Sequence, residues 1–146
     1  MSFDNLLVAG NISASGLAAE RLRMEVIANN IANAMATRSA NGGPFRRQDV
    51  VFEALMNDLT GDSLPNAGSL GGVRTVGVVP DQSELPRIHN PGHPDADGDG
   101  FVTLPNVFLP IEMVNLMTAS RAYEANLKVL QNLRQQLEQT LTLLRS

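Results

Sequence analysis

A regular stripe of apolar residues runs along the C-terminal quarter of the chain. Apolar residues recur at every seventh position from Leu116 to Leu144, and others fall three or four positions away. This spacing places the side chains on one face of a helix. The sequence therefore predicts a helix over residues 110–146, about 50 Å long at 1.5 Å per residue. The stripe consists of Leu116, Ala119, Tyr123, Leu127, Leu130, Leu133, Leu137, Leu141 and Leu144.

A second stripe with helical spacing lies near the N-terminus, between Leu17 and Met35. Small residues precede it, and the two glycines among them each cost a helix about 1 kcal/mol. We expect a kink or a break near Gly10 and a continuous helix over residues 16–34. Because a domain of this size cannot cover such long helices, each stripe needs a partner helix from this chain or from other copies. The N-terminal stripe consists of Leu17, Met24, Ile27, Ala28, Ile31 and Met35.

Three asparagines, Asn29, Asn30 and Asn33, lie near the end of the N-terminal helix. Asparagine is a mediocre helix former because its amide competes for backbone groups. In one interpretation the helix frays here and the amides are solvated. In the other, the amides form a side-chain network with neighbouring helices. Propensity alone favours the first interpretation.

The residues between the two helices lack helical spacing. Asn41–Pro44 is a turn signal, and strand-forming residues follow over 45–55 and 73–79, with shorter extended pieces at 84–89 and 101–104. Residues 61–72 are rich in Gly, Ser, Asn and Pro and are predicted to form a mobile loop. The sequence thus predicts a mainly α fold with a small β module. Its segments are a helical one at 1–36, a β-rich and loop middle module at 37–108, and a C-terminal helix at 109–146.

Composition excludes several kinds of site. The chain has no cysteine, so it has no disulfide, thiolate metal site or thiol nucleophile. Its net charge of −4 gives no bulk attraction to nucleic acid or to an anionic membrane. Residues 1–10 lack the basic and apolar regions of a cleaved signal peptide. Aromatic residues make up only 4%, which favours helix–helix contacts over a stacking site.

An acidic loop at residues 93–100 resembles the start of a calcium-binding loop. Asp95, Asp97 and Asp99 have the spacing of the first EF-hand ligands. The match fails at position twelve, where Asn106 replaces the bidentate glutamate, and prolines occupy the place of the entering helix. We interpret the segment as a turn-rich surface loop. A calcium-binding or enzymatic middle module is the alternative.

The remaining polar motifs do not indicate catalysis. His89 and His93 are four residues apart, but prolines separate them, so no helix aligns them as metal ligands. We interpret the pair Arg46–Arg47 as a solvated or ion-paired surface feature. We therefore predict no catalytic, cofactor-binding or metal-binding residues and no cofactor.

Residues 13–33 (SASGLAAERLRMEVIANNIAN) resemble the N-terminal signature of the bacterial flagellar rod and hook family. Met35 and Ala36 depart from the polar residues usual after this signature. Further stretches resemble the same family in the same order along nearly the whole chain. They are 42–47 (GGPFRR), 50–53 (VVFE), 72–74 (GVR), 90–97 (NPGHPDAD), 105–107 (PNV), 112–115 (EMVN) and 119–126 (ASRAYEAN).

The resemblance implies a structural, non-catalytic protein. Its N- and C-terminal helices would pair as a coiled coil, and many copies would stack helically around an export channel. The implied partners are other copies, other rod proteins, proteins on the MS-ring and export-gate side, and the flagellar type III export apparatus. Neither nucleic acid nor a small-molecule substrate is implied. The implied location is the rod in the periplasmic space, reached without a cleaved signal peptide.

The helix stripes and the resemblance together predict an assembly seam, meaning the set of side chains through which the terminal helices contact one another or neighbouring copies. A helical-hairpin adaptor of the cytosol would carry similar stripes, but it would be folded and monomeric in isolation. The predicted seam consists of Leu17, Met24, Ile27, Ala28, Asn29, Asn30, Ile31, Asn33, Leu116, Tyr123, Leu127, Leu130, Leu133, Leu137 and Leu141.

The broken EF-hand spacing generates a prediction about metal binding. We expect that Asp95, Asp97 and Asp99 hold no required cation, because the loop lacks the bidentate ligand that completes an EF-hand site. Calorimetric titration of the purified chain with calcium should show no binding heat at micromolar affinity. A stoichiometric titration would contradict this prediction and favour a metal-binding middle module.

Overall fold

A computed structural model describes residues 3–39, 42–57 and 69–145. Two long helices are separated along the chain by four strands. The elements are α1 (Phe3–Ala32), β1 (Gln48–Asn57), β2 (Ser69–Pro80), β3 (Arg87–His89), β4 (Phe101–Thr103) and α2 (Leu109–Arg145). The fold is therefore mainly helical with a small β module, as the sequence predicts. Within the described residues, no helix is both long enough and apolar enough to span a membrane.

Helix α2 follows the predicted range closely. Pro110 lies in its first turn, where the missing N–H would have no partner inside the helix. The backbone N–H groups of Ile111 and Glu112 both donate to the carbonyl oxygen of Phe108, each at 3.0 Å. The helix then continues to Arg145 without Gly or further Pro.

Helix α1 corrects one expectation, because it continues from Phe3 to Ala32 without a break at Gly10. The residues around Gly10 include Leu, Val and Ala, which tolerate or favour helix, so one glycine does not end it. A Cβ atom built on Gly10 would meet nothing within 4 Å, so close packing does not explain that glycine. After Ala32 the chain leaves the helix through a turn, in which the N–H of Ala36 donates to the carbonyl oxygen of Asn33 at 3.0 Å.

The four strands form two separate two-stranded sheets. Strand β1 pairs with β2, and β3 pairs with β4 in antiparallel register, with Ile88 opposite Val102. The predicted strands are confirmed. The predicted loop over 61–72 is wrong at residues 69–72, which form the start of β2, because pairing with β1 overrides the low strand propensity of glycine. Residues 61–68 lie outside the described part of the chain.

The chain divides into two compact units. The first unit contains Met1–Leu22, Phe52–Val76 and Ala119–Ser146, and the second contains Arg23–Val51 and Gly77–Thr118. Each unit therefore combines residues that are distant in sequence. Buried apolar side chains in the first unit include Ala19 and Ala119. Those in the second unit include Val26, Ile27, Ala34, Val50 and Val102.

In the first unit, a serine hydroxyl connects helix α1 to strand β2. Ser15 Oγ donates to the carbonyl oxygen of Ile12 at 2.7 Å and accepts the N–H of Val73 at 3.0 Å. Gly72 comes directly before Val73 and has a φ of 106°, which L side chains rarely adopt. A Cβ atom built on Gly72 would overlap Ser15 Oγ. This contact therefore requires glycine at position 72.

We predict that Gly72→Ala destabilises the protein by about 1–3 kcal/mol, through the strained φ and the clash with Ser15. Gly77→Ala is the matched control, because Gly77 lies in the same strand with open space around its Cβ position. It should change the stability by less than about 0.5 kcal/mol. Urea unfolding of both variants measures the difference. Equal effects at the two positions would contradict the assignment.

Candidate functional site

The predicted seam residues on the two helices differ in how far the single chain covers them. Most of the seam leucines, such as Leu130 and Leu137, are half-buried, and Ile27 is fully buried. Two of the seam leucines are poorly covered by the single chain, since Leu127 is 40% exposed and Leu141 is 59% exposed. The grouping of these side chains into one assembly interface stays a prediction.

A second apolar surface lies at the start of α2, formed by residues of its first turns and by Phe108, which directly precedes the helix. Its five large side chains are between 53% and 63% exposed. A helix with apolar residues on both faces is usually covered on both faces, and contiguous exposed apolar surface commonly marks a contact site. The residues are Phe108, Ile111, Met113, Val114 and Met117.

The second unit contains a buried cluster of polar side chains around a carboxylate. Glu112, in the first turn of α2, is 0% exposed. Its Oε1 accepts a hydrogen bond from Arg47 Nε at 2.8 Å, and its Oε2 accepts one from Asn30 Nδ2 at 3.1 Å. Asn30 belongs to the last turns of α1 and Arg47 directly precedes β1. The cluster therefore joins three segments of the second unit.

The side-chain amide of Asn30 is also the hydrogen-bonding partner of a strand. Asn30 Nδ2 donates to the carbonyl oxygen of Gln48 at 2.8 Å, and Asn30 Oδ1 accepts the N–H of Gln48 at 2.9 Å. An amide supplies both the donor and the acceptor that this pairing needs, whereas an ionised carboxylate only accepts. Asn30 is 0% exposed, so the network interpretation holds for it and the favoured fraying interpretation is wrong.

The other two asparagines behave differently from Asn30. Asn33 Nδ2 donates back along α1 to the carbonyl oxygen of Asn29 at 2.9 Å and to its side-chain oxygen at 2.6 Å. Both bonds are on the exposed side of the helix end. The interpretation as solvated amides therefore suits these two residues.

Arg47 is held by several acceptors. Besides Glu112 it contacts Asp49 at 3.2 Å and Asp81 at 3.7 Å. Burial alone would lower the pKa of Arg47, but hydrogen bonds and charge interactions with Glu112 and Asp49 raise it above its ordinary value. The predicted ion-paired character of Arg46–Arg47 is thus confirmed for Arg47. The side chain of Arg47 is only 19% exposed, so the prediction of a surface feature is wrong for this residue.

Asn106 extends the network on the other side of Arg47. Asn106 Oδ1 accepts the backbone N–H of Arg47 at 2.8 Å, and Asn106 Nδ2 donates to Ser83 Oγ at 2.8 Å. Hydrogen bonds from Ser83, first from its backbone N–H, lower the pKa of Asp81, and the positive charge of Arg47 acts in the same direction. The polar groups of the cluster are therefore committed to one another, which suits a structural junction.

Sequence reasoning missed Glu112 as a member of this cluster, although a signal was present. Glu112 precedes Leu116 by four residues and Ala119 by seven, so it lies on the same helix face as the C-terminal stripe. Extending the stripe back by one step would have placed a carboxylate at a buried position. Such a charge requires a partner, because an unpaired buried charge is very costly.

The acidic loop directs its carboxylates to different partners. Asp95 accepts a hydrogen bond from Thr37 Oγ1 at 2.8 Å and forms an ion pair with Arg38, whose Nε lies 2.7 Å from Asp95 Oδ1. Asp97 pairs with Arg87 and accepts the backbone N–H groups of Phe101 and Asp99, at 2.8 and 3.1 Å. The bond from Phe101, followed by those from Asp99 and Arg87, lowers the pKa of Asp97.

The two histidines also have separate surroundings. The His89 ring lies edge-on to Phe101, with the ring centroids 5.1 Å apart, and His93 Nδ1 accepts the N–H of Asp95 at 3.1 Å. In the described part of the chain, no three residues of the types His, Cys, Asp and Glu are grouped so that they could hold a metal ion.

We predict that Glu112→Ala destabilises the second unit by about 3 kcal/mol, because it leaves the charge of Arg47 and the amide of Asn30 without their buried partner. The exposed pair of Glu138 and Arg134 provides the control, with a 2.9 Å contact one helical turn apart. Glu138→Ala should cost less than about 0.5 kcal/mol. Urea unfolding should also show that Arg47→Met restores part of the stability lost in Glu112→Met. If the two glutamate variants were equally stable, the cluster would not be the junction described here.

Comparison with known proteins matches each end of the chain to a family of flagellar rod proteins. Residues 11–38 match the family described as "Flagella basal body rod protein", and residues 99–143 match "Flagellar basal body rod FlgEFG protein C-terminal". These matches cover the N-terminal signature and most of α2. They agree with the resemblance carried by residues 13–33 and 119–126.

Curated relatives cover nearly the whole chain, and they share the name flagellar basal-body rod protein FlgC. The relative from Borreliella burgdorferi is 41% identical over 143 residues, which are 92% of this chain and 94% of that protein. The relative from Salmonella typhimurium is 39% identical, over 94% of this chain and 97% of that protein. The relative from Bacillus subtilis is 36% identical, over 80% and 83%. With this identity over almost the full length, the chain belongs to the flagellar basal-body rod protein FlgC family.

Proposed function

We propose that the chain is a structural subunit of the proximal rod of the bacterial flagellar basal body. It assembles helically with further copies into the drive shaft that transmits motor torque and encloses the export channel, and it catalyses no reaction. The observation that carries this proposal is the near full-length similarity to FlgC proteins. Residues of the chain that remain uncovered in the single subunit support it.

The exposed leucines of α2 support a role in assembly. Leu127 and Leu141 continue the apolar stripe but are poorly covered by the rest of the chain, and Leu143 is also exposed. Long helices gain most of their stability from packing an apolar face and little from propensity alone. In our proposal the terminal helices pair as a coiled coil through the predicted seam, and neighbouring subunits cover the leucines that one chain leaves exposed.

The buried polar cluster supports a mechanical role for the second unit. A part that transmits torque must keep its segments in fixed positions under load. Glu112, Arg47 and Asn30 join the start of α2, the start of β1 and the end of α1 through directional hydrogen bonds, and those to Glu112 are charge-assisted. These bonds specify one arrangement of the three segments, which is the best-supported use of buried polar groups.

The partners and the location follow from the proposed function. The subunit contacts other copies of itself, other rod proteins, and proteins on the MS-ring and export-gate side. It reaches the periplasmic space through the flagellar type III export apparatus without a cleaved signal peptide. The names of the relatives support the rod partners.

Removing seam leucines tests the proposal. We predict that Leu130→Ala and Leu137→Ala each prevent normal rod assembly, because truncating a buried leucine commonly costs about 2–5 kcal/mol. The measurement is swimming, together with electron microscopy of isolated basal bodies, in a strain that lacks the wild-type gene. Gln135→Ala is the control, since Gln135 is exposed on the opposite face of α2 and should support normal rods.

The alternatives give different results in the same experiment. Normal rods and swimming in both leucine variants would show that the seam is misplaced. An adaptor of the cytosol would be absent from isolated basal bodies even as the wild-type protein. Detection of the wild-type chain in the rod, with its loss in the leucine variants but not in Gln135→Ala, is the outcome that supports the proposal.

A further inference from the structure

The acidic loop at residues 93–100 has no part in the proposed function, although its sequence is distinctive. Two of its three carboxylates have partners outside the loop, and these partners belong to different segments of the second unit. The side chain of Asp95 is 19% exposed, so it is largely covered by its neighbours. Asp97 contacts strand β3 through Arg87 and the first residue of β4 through the backbone of Phe101.

We propose that this loop is an internal clasp, in which Asp95 fixes the connection between α1 and β1 to the loop, and Asp97 fixes the loop to the β3–β4 sheet. The clasp replaces the cation that the sequence pattern suggests. The carboxylates of the clasp bind the chain's own arginines, a hydroxyl and backbone N–H groups. This inference goes beyond the rod function and does not depend on it.

The contacts of Asp95 provide the first half of the argument. Its Oδ2 accepts a hydrogen bond from Thr37 Oγ1 and its Oδ1 forms the ion pair with Arg38 Nε, so both carboxylate oxygens are used. Thr37 and Asp95 are 58 residues apart in sequence. The backbone bonds that follow Thr37 are local, such as that from the Ser39 N–H to the carbonyl oxygen of Gly43 at 2.7 Å. Asp95 therefore supplies a long-range link near the start of this connection, whose other end is held by the long-range bonds of Arg46 and Arg47.

The contacts of Asp97 provide the second half. Its carboxylate accepts two backbone N–H groups, and its own N–H donates to the carbonyl oxygen of Phe101 at 2.9 Å. Arg87, which pairs with Asp97, also lies over the Phe101 ring at 5.2 Å from its centroid. Gly100 has a φ of 79° and closes the turn by donating its N–H to the carbonyl oxygen of Asp97 at 3.0 Å. Asp97 thus holds the loop in the shape that presents Asp95 to Thr37 and Arg38.

Binding of a cation would disrupt these contacts. A calcium ion needs six to eight oxygen ligands, and recruiting Asp95 would displace both Thr37 and Arg38. Asp99 differs from its two neighbours, because its carboxylate has no hydrogen bond or ion pair within the described residues. It is exposed, and it provides a control of the same residue type in the same loop.

Hydrogen exchange on the full chain tests the clasp. Asp95→Ala should speed the exchange of the backbone amides in residues 36–46 about tenfold, because charge-assisted hydrogen bonds contribute at about this level. Asp99→Ala should leave the same amides within about twofold of the wild-type rates. Amides of the first unit should be unaffected in both variants.

A second measurement separates the specific pairing from general damage to the loop. Arg38→Ala should speed the exchange of residues 36–46 on its own but add nothing to Asp95→Ala, because the two residues act as a pair. If Asp95→Ala does not fold, Thr37→Val and Arg38→Ala provide the same readout singly and together. The proposal is overturned if Asp99→Ala acts like Asp95→Ala, if Arg38→Ala and Asp95→Ala add fully, or if calcium alone slows exchange in the wild-type loop.

Discussion

A buried carboxylate needs its full set of partners, and this requirement organises the second unit. Glu112 is fully covered and would be strongly destabilising without Arg47 and Asn30. Each partner also fixes the segment to which it belongs. Asn30 pairs with the backbone of Gln48, and Arg47 contacts Asp49. The positions of the end of α1 and the start of β1 therefore depend on one side chain at the start of α2.

The sequence predicts the helices and strands well because their patterns are local. The stripe from Leu116 onward fixes α2, and alternating residues at 73–79 fix the main part of β2. The errors arise where the structure depends on neighbouring helix formers or on pairing with another strand. Glycine at position 10 suggests a break that the surrounding helix formers overcome, and residues 69–72 look like loop until their pairing with β1 is known.

The site is harder to predict than the fold, since it depends on contacts between distant residues. Asn30 looks like part of a fraying helix end until Gln48 and Glu112 are placed beside it. The spacing of Asp95 and Asp97 resembles that of cation ligands, but it does not reveal that Arg38 and Arg87 are their partners. Spacing along a chain shows which side chains share a face or a turn, but it does not show which distant residue satisfies them.

The long sequence separation within the cluster has a consequence for the order of folding. Asn30 and Glu112 are 82 residues apart, and both compact units combine early and late parts of the chain. Closing loops of this size costs conformational entropy, and this cost arises before the long-range contacts can stabilise the fold. A chain that emerges N-terminus first from a ribosome cannot complete either unit until most of its length is free. Both units are therefore completed late in synthesis, even where local helix forms earlier.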